Sequence, residues 1–182
     1  YLDNLRLLSI NGVSQYIKIA EGCSNFCTYC IIPSLRGPYR SRTVESVLAE
    51  AELLVEKGAR ELILIAQDVS RYGEDNYGEA KLIELIRKLS GIEKLKWIRL
   101  MYCYPERITE ELISELKNNQ KLVKYLDIPI QHASDKVLKA MGRKSRQKDL
   151  TSLIARLRAE VPDIILRTSL IAGFPGETED DF

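Results

Sequence analysis

Apolar residues follow two alternating patterns along the chain. Five short segments are rich in apolar, β-branched and aromatic residues, which favours strands. After Glu61, the second segment is apolar without a gap, as expected for a strand buried on both faces of a sheet. Between the segments, apolar residues recur every three or four positions and predict helices with one buried face. The predicted strands are residues 16–20, 61–66, 97–102, 124–130 and 164–171.

Several residues mark where the predicted helices begin and end. Thr43 and Thr109 are N-cap residue types that directly precede helical patterns. Gly58 stands where the first of these helices should stop, and Ser134 begins a shorter helix. Five strand-then-helix units in series imply a parallel sheet with right-handed crossovers, which is an α/β fold.

This α/β fold is either part of a β/α barrel or an open doubly wound sheet. An eight-fold barrel typically needs about 250 residues, and the chain has 182. The chain begins at Tyr1 rather than Met, and its last residues resemble the first turn of a helix. We therefore expect a linker over residues 1–15 and an incomplete core domain over residues 16–182, cut off after the fifth strand.

Charge and composition add few constraints. A formal net charge of +1 gives no general attraction to nucleic acid or to membranes. Two local basic runs could be solvated faces, substrate contacts or the RNA-binding surface of a non-catalytic module. The sequence shows neither a bilayer-spanning apolar run nor a signal peptide, so we expect a cytoplasmic protein. The runs are Arg36, Arg40 and Arg42, and Arg143, Lys144, Arg146 and Lys148.

Three of the four cysteines are close together in the sequence. Cys23, Cys27 and Cys30 have C-x3-C-x2-C spacing and follow the first strand, at the edge where parallel sheets carry their chemistry. Thiolates suit zinc or iron–sulfur clusters. Structural zinc takes four protein ligands, and Cys103 and His132 lie far along the chain. Three cysteines on a four-iron cluster would leave one iron open, whereas a zinc clip or three structural cysteines are the alternatives.

With the aromatic Tyr29 before its last cysteine, this spacing resembles the signature of the radical S-adenosylmethionine (SAM) superfamily. The resemblance implies a [4Fe-4S] cluster held by Cys23, Cys27 and Cys30, whose open iron binds the amino and carboxylate groups of SAM. One electron from that cluster breaks a carbon–sulfur bond of SAM, and the resulting 5′-deoxyadenosyl radical abstracts hydrogen from the substrate. The implied fold is a partial (βα)6 TIM-like barrel, here truncated after the fifth strand.

Within that superfamily the chain resembles the methylthiotransferases, on residues 31–37 and 172–178. One branch modifies an aspartate of the twelfth small-subunit ribosomal protein (the RimO type), and another modifies an adenosine of tRNA (the MiaB type). The sequence is more similar to the ribosomal branch, and the tRNA branch is the alternative. The stretches that favour the ribosomal branch are residues 31–34, 66–73, 101–105 and 127–134.

The resemblance also implies parts that this sequence lacks. The family carries a second [4Fe-4S] cluster in an N-terminal domain and an RNA-binding-type β-barrel at the C-terminus. We therefore expect this chain to bind and cleave SAM, but not to insert sulfur by itself. The implied partners are a ribosomal protein substrate, or tRNA in the alternative, and an electron donor. We expect a monomer.

Further candidates for SAM binding lie at the strand ends, and none is assigned a catalytic role beyond the cluster. Gln67 could instead cap a loop with Asp68, and Arg167 could instead pair with a neighbouring acid. His132 is the only histidine and is more often structural than catalytic in such a position, while Cys103 is expected to be a spectator. The predicted SAM-binding residues are Tyr29, Gln67, Gln131, Arg167 and Gly173.

Overall fold

A computed structural model describes residues 12–182 and contains one five-stranded parallel sheet. Its strands are β1 (Ser14–Lys18), β4 (Glu61–Ile65), β5 (Trp97–Leu100), β6 (Leu122–Asp127) and β7 (Ile165–Arg167). A two-stranded antiparallel sheet joins β2 (Ala20–Glu21) to β3 (Arg40–Ser41). The helices are α1 (Ile32–Arg36), α2 (Val44–Glu56), α3 (Glu74–Tyr77), α4 (Leu82–Ser90), α5 (Glu110–Asn118), α6 (Asp135–Ala140) and α7 (Gln147–Glu160).

The order of the large sheet decides between the two predicted architectures. Its strands lie side by side as β1-β4-β5-β6-β7, so every crossover moves in the same direction along the sheet. A doubly wound sheet reverses this direction at a switch point. The sheet is therefore wound as in a β/α barrel, and the predicted α/β partial barrel with five parallel strands is confirmed.

The helices cover one face of this sheet. Alternate strand residues such as Ile17, Leu64 and Leu100 are fully buried and share one core with the apolar faces of α2, α4 and α5. On the other face, Trp97 and Ile165 are exposed. Burial on both faces, which the sequence predicts for residues 61–66, holds at the centre of β4, while the neighbouring strands alternate.

The predicted helix starts agree with the structure more closely than the predicted strand ends do. Thr43 accepts a hydrogen bond from Ser46 N at 3.2 Å, and Thr109 accepts one from Leu112 N at 3.2 Å. The sheet begins at Ser14, inside the predicted linker, because residues 14–18 pair in register with β4. Residues 1–11 of that linker lie outside the described residues.

Within the described part of the chain, no helix is both long and apolar enough to span a bilayer.

Candidate iron–sulfur and SAM site

The three clustered cysteines lie on the loop between β2 and α1, at the carboxyl edge of the sheet. Cys23 and Cys27 are buried, at 6% and 7% exposed, and Cys30 is partly exposed. Cys30 N donates to Cys27 O at 3.0 Å, which curls the loop between these two residues. All four cysteines of the chain are in the described region, and each is a free thiol.

The chemistry of these donors suits an iron–sulfur cluster. Within residues 12–182, no three His, Cys, Asp or Glu side chains converge on one point as ligands of a single metal ion. A zinc clip would need four such ligands, whereas a cluster takes each thiolate on a different iron. Burial raises the pKa of Cys23, and the nearby negative charge of Asp68 adds to this rise. Bound iron would reverse the effect, since a metal deprotonates the thiols that ligate it.

Gly22 brings the start of the cysteine loop against the chain that follows α1. Its φ is +79°, and a Cβ at this position would lie 2.2 Å from Pro38 O and 2.6 Å from Gly37 O. Cys23 N then donates to Gly37 O at 3.2 Å. Only glycine permits this close approach in a left-handed backbone conformation, so Gly22 sets the position of Cys23.

Two further residues, Thr28 and Asn25, fix the middle of the loop. Thr28 donates to the end of α6, from its backbone N to Met141 O at 3.0 Å and from Oγ1 to Ala140 O at 2.9 Å. Asn25 Nδ2 donates to Asp68 Oδ2 at 3.1 Å. Asp68 is fully buried and its pKa is raised by that burial. Asp68 thus contacts the cysteine loop. This contact goes beyond the loop capping that the sequence left open for Asp68 together with Gln67.

Tyr104 contacts Cys27, and Arg143 packs over the ring of Tyr104. The sequence did not predict either contact. Tyr104 Oη lies 3.6 Å from Cys27 Sγ, and Arg143 Cζ lies 4.3 Å from the centroid of the Tyr104 ring. Burial raises the pKa of Tyr104 well above its usual range, so its hydroxyl keeps its proton. Both residues line a cleft of about 340 Å³ that Cys27 also lines. The solvated face that the sequence offered for Arg143 is wrong, because its guanidinium is buried beside the Tyr104 ring.

Two of the predicted SAM-binding residues lie near the end of the fifth strand. The Tyr29 ring meets Phe174 edge-to-face, with centroids 6.5 Å apart, and Gly173 precedes Phe174 with a φ of +76°. Gln131 joins the ends of the fourth and fifth strands, since its N donates to Ser169 O at 3.0 Å and its O accepts from Ile171 N at 2.8 Å.

Gln67 follows β4, and Arg167 is the last residue of β7. Gln67 lines a second cleft, of about 300 Å³, and its buried Oε1 has no hydrogen-bond partner among residues 12–182. Arg167 Nη1 donates to Asp127 Oδ1 at 2.8 Å, which is the ion pair that the sequence left open. SAM binding by Tyr29, Gln67, Gln131, Arg167 and Gly173 stays a prediction.

His132 contacts both the start of α6 and the loop that follows the fifth strand. Its Nδ1 accepts from Ser134 N at 2.9 Å, so the ring proton lies on Nε2, which is 3.3 Å from Glu177 Oε1. Glu177 Oε2 in turn accepts from Phe174 N at 2.8 Å. This backbone hydrogen bond is the main reason that the pKa of Glu177 is lowered, with His132 contributing. His132 therefore supports the loop that follows the fifth strand.

Comparisons with known proteins agree with the radical SAM resemblance. The family model of the radical SAM superfamily matches residues 17–182. The chain is 64% identical over 182 residues to the ribosomal protein uS12 methylthiotransferase RimO of Acetivibrio thermocellus, covering 100% of this chain and 40% of that protein. It is 62% identical over 180 residues to the RimO of Trichlorobacter lovleyi, covering 99% and 40%. The chain thus spans about two fifths of the length of these curated relatives, and the predicted similarity to the ribosomal branch is confirmed.

Solved structures support the fold. The radical SAM methyltransferase TsrM from Kitasatospora setae, with tryptophan and a SAM analogue bound, superimposes with a TM-score of 0.71 at 22% identity, covering 94% of this chain and 32% of that one. The cobalamin-dependent radical SAM enzyme OxsB gives a TM-score of 0.65 at 14% identity, covering 86% and 23%. With the family model matching nearly the whole chain and three free thiols on the expected loop, this chain belongs to the radical SAM superfamily.

Proposed function

We propose that this chain is the radical SAM core of a methylthiotransferase that modifies an aspartate of ribosomal protein uS12. The observation that carries this proposal is the 64% identity to a uS12 methylthiotransferase over the whole chain. That similarity includes the cysteine loop, whose three thiols are free. No specific feature of the fold favours the tRNA alternative, which is therefore an outcome of the test.

In this proposal Cys23, Cys27 and Cys30 hold a [4Fe-4S] cluster. When bound, the cluster and SAM supply the one-electron chemistry that activates a carbon–hydrogen bond. The residues of the chain position and shield that chemistry. Burial of Cys23 and Cys27 excludes water from two of the three ligands, while Gly22 and Thr28 fix where the thiols lie.

The predicted SAM-binding residues would surround the cofactor from three strand ends. Tyr29 and the turn at Gly173 lie together and offer an aromatic ring beside exposed backbone. Gln67 offers an unpartnered amide oxygen among the described residues, which suits a hydrogen bond to a ligand. Gln131 and Arg167 would approach from the fourth and fifth strands.

Substrate contact through basic residues is proposed for the second run only. Arg42 pairs with Glu50 and Arg40 donates to backbone carbonyls, so the first run already serves the fold. Lys144, Arg146 and Lys148 are exposed, and a ribosomal substrate surrounded by RNA phosphate would favour such charges.

The whole protein would supply what this chain does not. We propose that a second [4Fe-4S] cluster and the substrate-holding barrel lie in the rest of the protein, and that an external reductant supplies electrons. The protein would act as a monomer in the cytoplasm, where ribosomal proteins are made.

The first test is whether the protein binds a cluster that responds to SAM. After anaerobic reconstitution with iron and sulfide and then reduction, the EPR spectrum should show a four-iron signal that changes when SAM is added. Cys27→Ala should lose this signal. Cys103→Ala is the matched control, because Cys103 is also buried but lies outside the loop, and it should keep the signal. A folded protein without a cluster, or with a cluster that ignores SAM, would contradict the proposal.

The second test concerns the substrate. The full protein is incubated with SAM, a reductant and either uS12 or tRNA, and the products are analysed by mass spectrometry. Addition of a methylthio group to an aspartate of uS12 is the expected result. Modification of tRNA alone would favour the MiaB-type alternative, and cleavage of SAM with neither substrate modified would contradict both assignments.

A further inference from the structure

Cys27 has a neighbour that can donate a hydrogen bond to its sulfur. Tyr104 Oη lies 3.6 Å from Cys27 Sγ, within the range for a bond to sulfur. An iron-bound thiolate carries no proton, so in the loaded protein Tyr104 must be the donor. The backbone of Tyr104 is fixed at this position, since Tyr104 N donates to Ser70 Oγ at 3.1 Å and Ser70 Oγ donates to the buried carboxylate of Asp68.

Arg143 places a fixed positive charge behind this tyrosine. The side chain is only 8% exposed, and its guanidinium carbon lies 4.3 Å from the Tyr104 ring centroid. Nη2 donates to Pro129 O at 3.0 Å, which locks the guanidinium over the ring. Nε and Nη1 are buried and have no acceptor among residues 12–182.

Such a buried cation needs a compensating negative charge. Within the described part of the chain Arg143 makes no direct ion pair, unlike Arg42, Arg99 and Arg167. The carboxylate that acts on it most strongly is Glu106 on the wall of the same cleft, which is exposed and already accepts from Ser145 N at 3.0 Å. Cys27 lines the same cleft. A cluster held by three thiolates would be negatively charged and would lie where the guanidinium can compensate it.

We propose that Tyr104 and Arg143 are positioning residues for the cluster ligand Cys27 and that together they raise the reduction potential of the cluster. This inference rests on the cluster of the proposed function, but not on the identity of the substrate. Reduction adds one electron to the cluster, so a hydrogen bond to its sulfur and a nearby cation both stabilise the reduced form more than the oxidised form. Arg143 also holds the ring so that its hydroxyl keeps facing the sulfur.

The test compares reduction potentials of matched variants. Tyr104→Phe removes only the hydroxyl, and Arg143→Met removes the buried charge. The first control is Tyr102→Phe, a half-exposed tyrosine that does not line the cleft containing Cys27. The second is Lys144→Met, which removes an exposed charge from the wall of the cleft containing Cys27. Each protein is reconstituted and analysed for iron and circular dichroism, then titrated with a reductant while the EPR signal is recorded.

At the potential where the wild-type cluster is half reduced, Tyr104→Phe and Arg143→Met should each lower the ratio of reduced to oxidised cluster by about fivefold, because a hydrogen bond or charge near a thiolate is lost. Both controls should match the wild type. Arg143→Lys, which keeps the charge, should recover part of the potential. The double variant should shift by less than the sum of the two single variants, because Arg143 acts partly through Tyr104.

Unchanged potentials in folded, iron-loaded Tyr104→Phe and Arg143→Met would overturn the inference. A shift equally large in Lys144→Met would overturn it too, since any nearby charge would then suffice. If Tyr104→Phe folds but no longer retains iron, its positioning role is supported. If the wild-type protein forms no cluster, the proposed function fails instead, and the two failures are therefore distinguishable.

Discussion

His132 Nε2 lies 3.3 Å from Glu177 Oε1, and both side chains are buried. This contact joins the end of the fourth strand to the turn that follows the fifth. Through Phe174 N, which donates to Glu177 Oε2 at 2.8 Å, it reaches the ring that packs against Tyr29 on the cysteine loop. The only histidine of the chain thus braces the segment that contains Gly173, one of the predicted SAM-binding positions.

Glu177→Gln should loosen this turn. The amide that replaces the carboxylate is a weaker acceptor for Phe174 N and for His132, because both bonds lose the negative charge. We expect the Phe174 amide to exchange with solvent several-fold faster, as measured by hydrogen exchange and mass spectrometry. Glu179→Gln is the control, since Glu179 is exposed in the same segment. Equal exchange rates in wild type and Glu177→Gln would show that the carboxylate does not hold the turn.

Acid should weaken the same region. The pKa of Glu177 is lowered chiefly by the Phe174 backbone, and that of Asp181 is lowered by Lys136, Ser134 and Thr178. A lowered pKa means that the stabilisation is present above the unfolded-state pKa and is lost as the pH falls through the folded-state value. We expect the difference in free energy of unfolding between wild type and Asp181→Asn to shrink as the pH falls below about 5, through the unfolded-state pKa of about 3.9 and towards the lowered folded-state value.

Urea unfolding of the apoprotein at a series of pH values measures this difference. Asp68 works in the opposite direction, because its pKa is raised by burial and its protonation favours the fold. Subtracting the variant from the wild type removes that contribution. A difference that stays constant or grows on acidification would contradict the assignment for Asp181.

Gly22 should be sensitive to the smallest substitution. In Gly22→Ala the new Cβ meets Pro38 O at 2.2 Å, and the backbone is left-handed. We expect the free energy of unfolding to fall by about 2–3 kcal/mol from overpacking and backbone strain, and reconstitution to yield less bound iron. Gly78→Ala is the matched control: its φ is +73° but nothing lies within 4 Å of the added Cβ, so only about 1 kcal/mol of strain is expected.

Equal destabilisation of the two glycine variants would show that backbone strain alone matters at Gly22. Iron binding that falls in Gly22→Ala but not in Gly78→Ala would link the glycine to the position of Cys23. Urea denaturation and an iron assay of the reconstituted proteins give both readouts.

Features set by neighbouring residues could be predicted from the sequence. The five strands and the N-caps at Thr43 and Thr109 depend on local patterns and are found in the structure. Strand ends were less accurate: the fifth strand was predicted over residues 164–171 but β7 pairs only over Ile165–Arg167. Beyond Arg167 the two strands pair again only through an isolated bridge between Leu170 and Gln131.

Contacts between distant segments could not be predicted in this way. The cysteine spacing predicted the cluster loop, but its supports come from Asp68, Tyr104 and the end of α6. Arg143 is part of a basic run, and such runs usually face solvent. Its burial depends on the ring of Tyr104, which lies in another strand–helix unit, and no local pattern records that pairing.

Arg167 offers a test that separates an ion pair from a SAM contact. Its side chain is 49% exposed and donates to Asp127, which is fully buried and whose Oδ2 has no partner in residues 12–182. Arg167→Met should leave a buried carboxylate unpaired and lower the melting temperature. Adding Asp127→Asn removes that charge, so the double variant should recover part of the loss. Affinity for SAM, measured on the reconstituted protein, should fall in Arg167→Met and stay low in the double variant if Arg167 contacts SAM as proposed. Recovery of SAM affinity together with the melting temperature would instead mean that Arg167 acts only through Asp127.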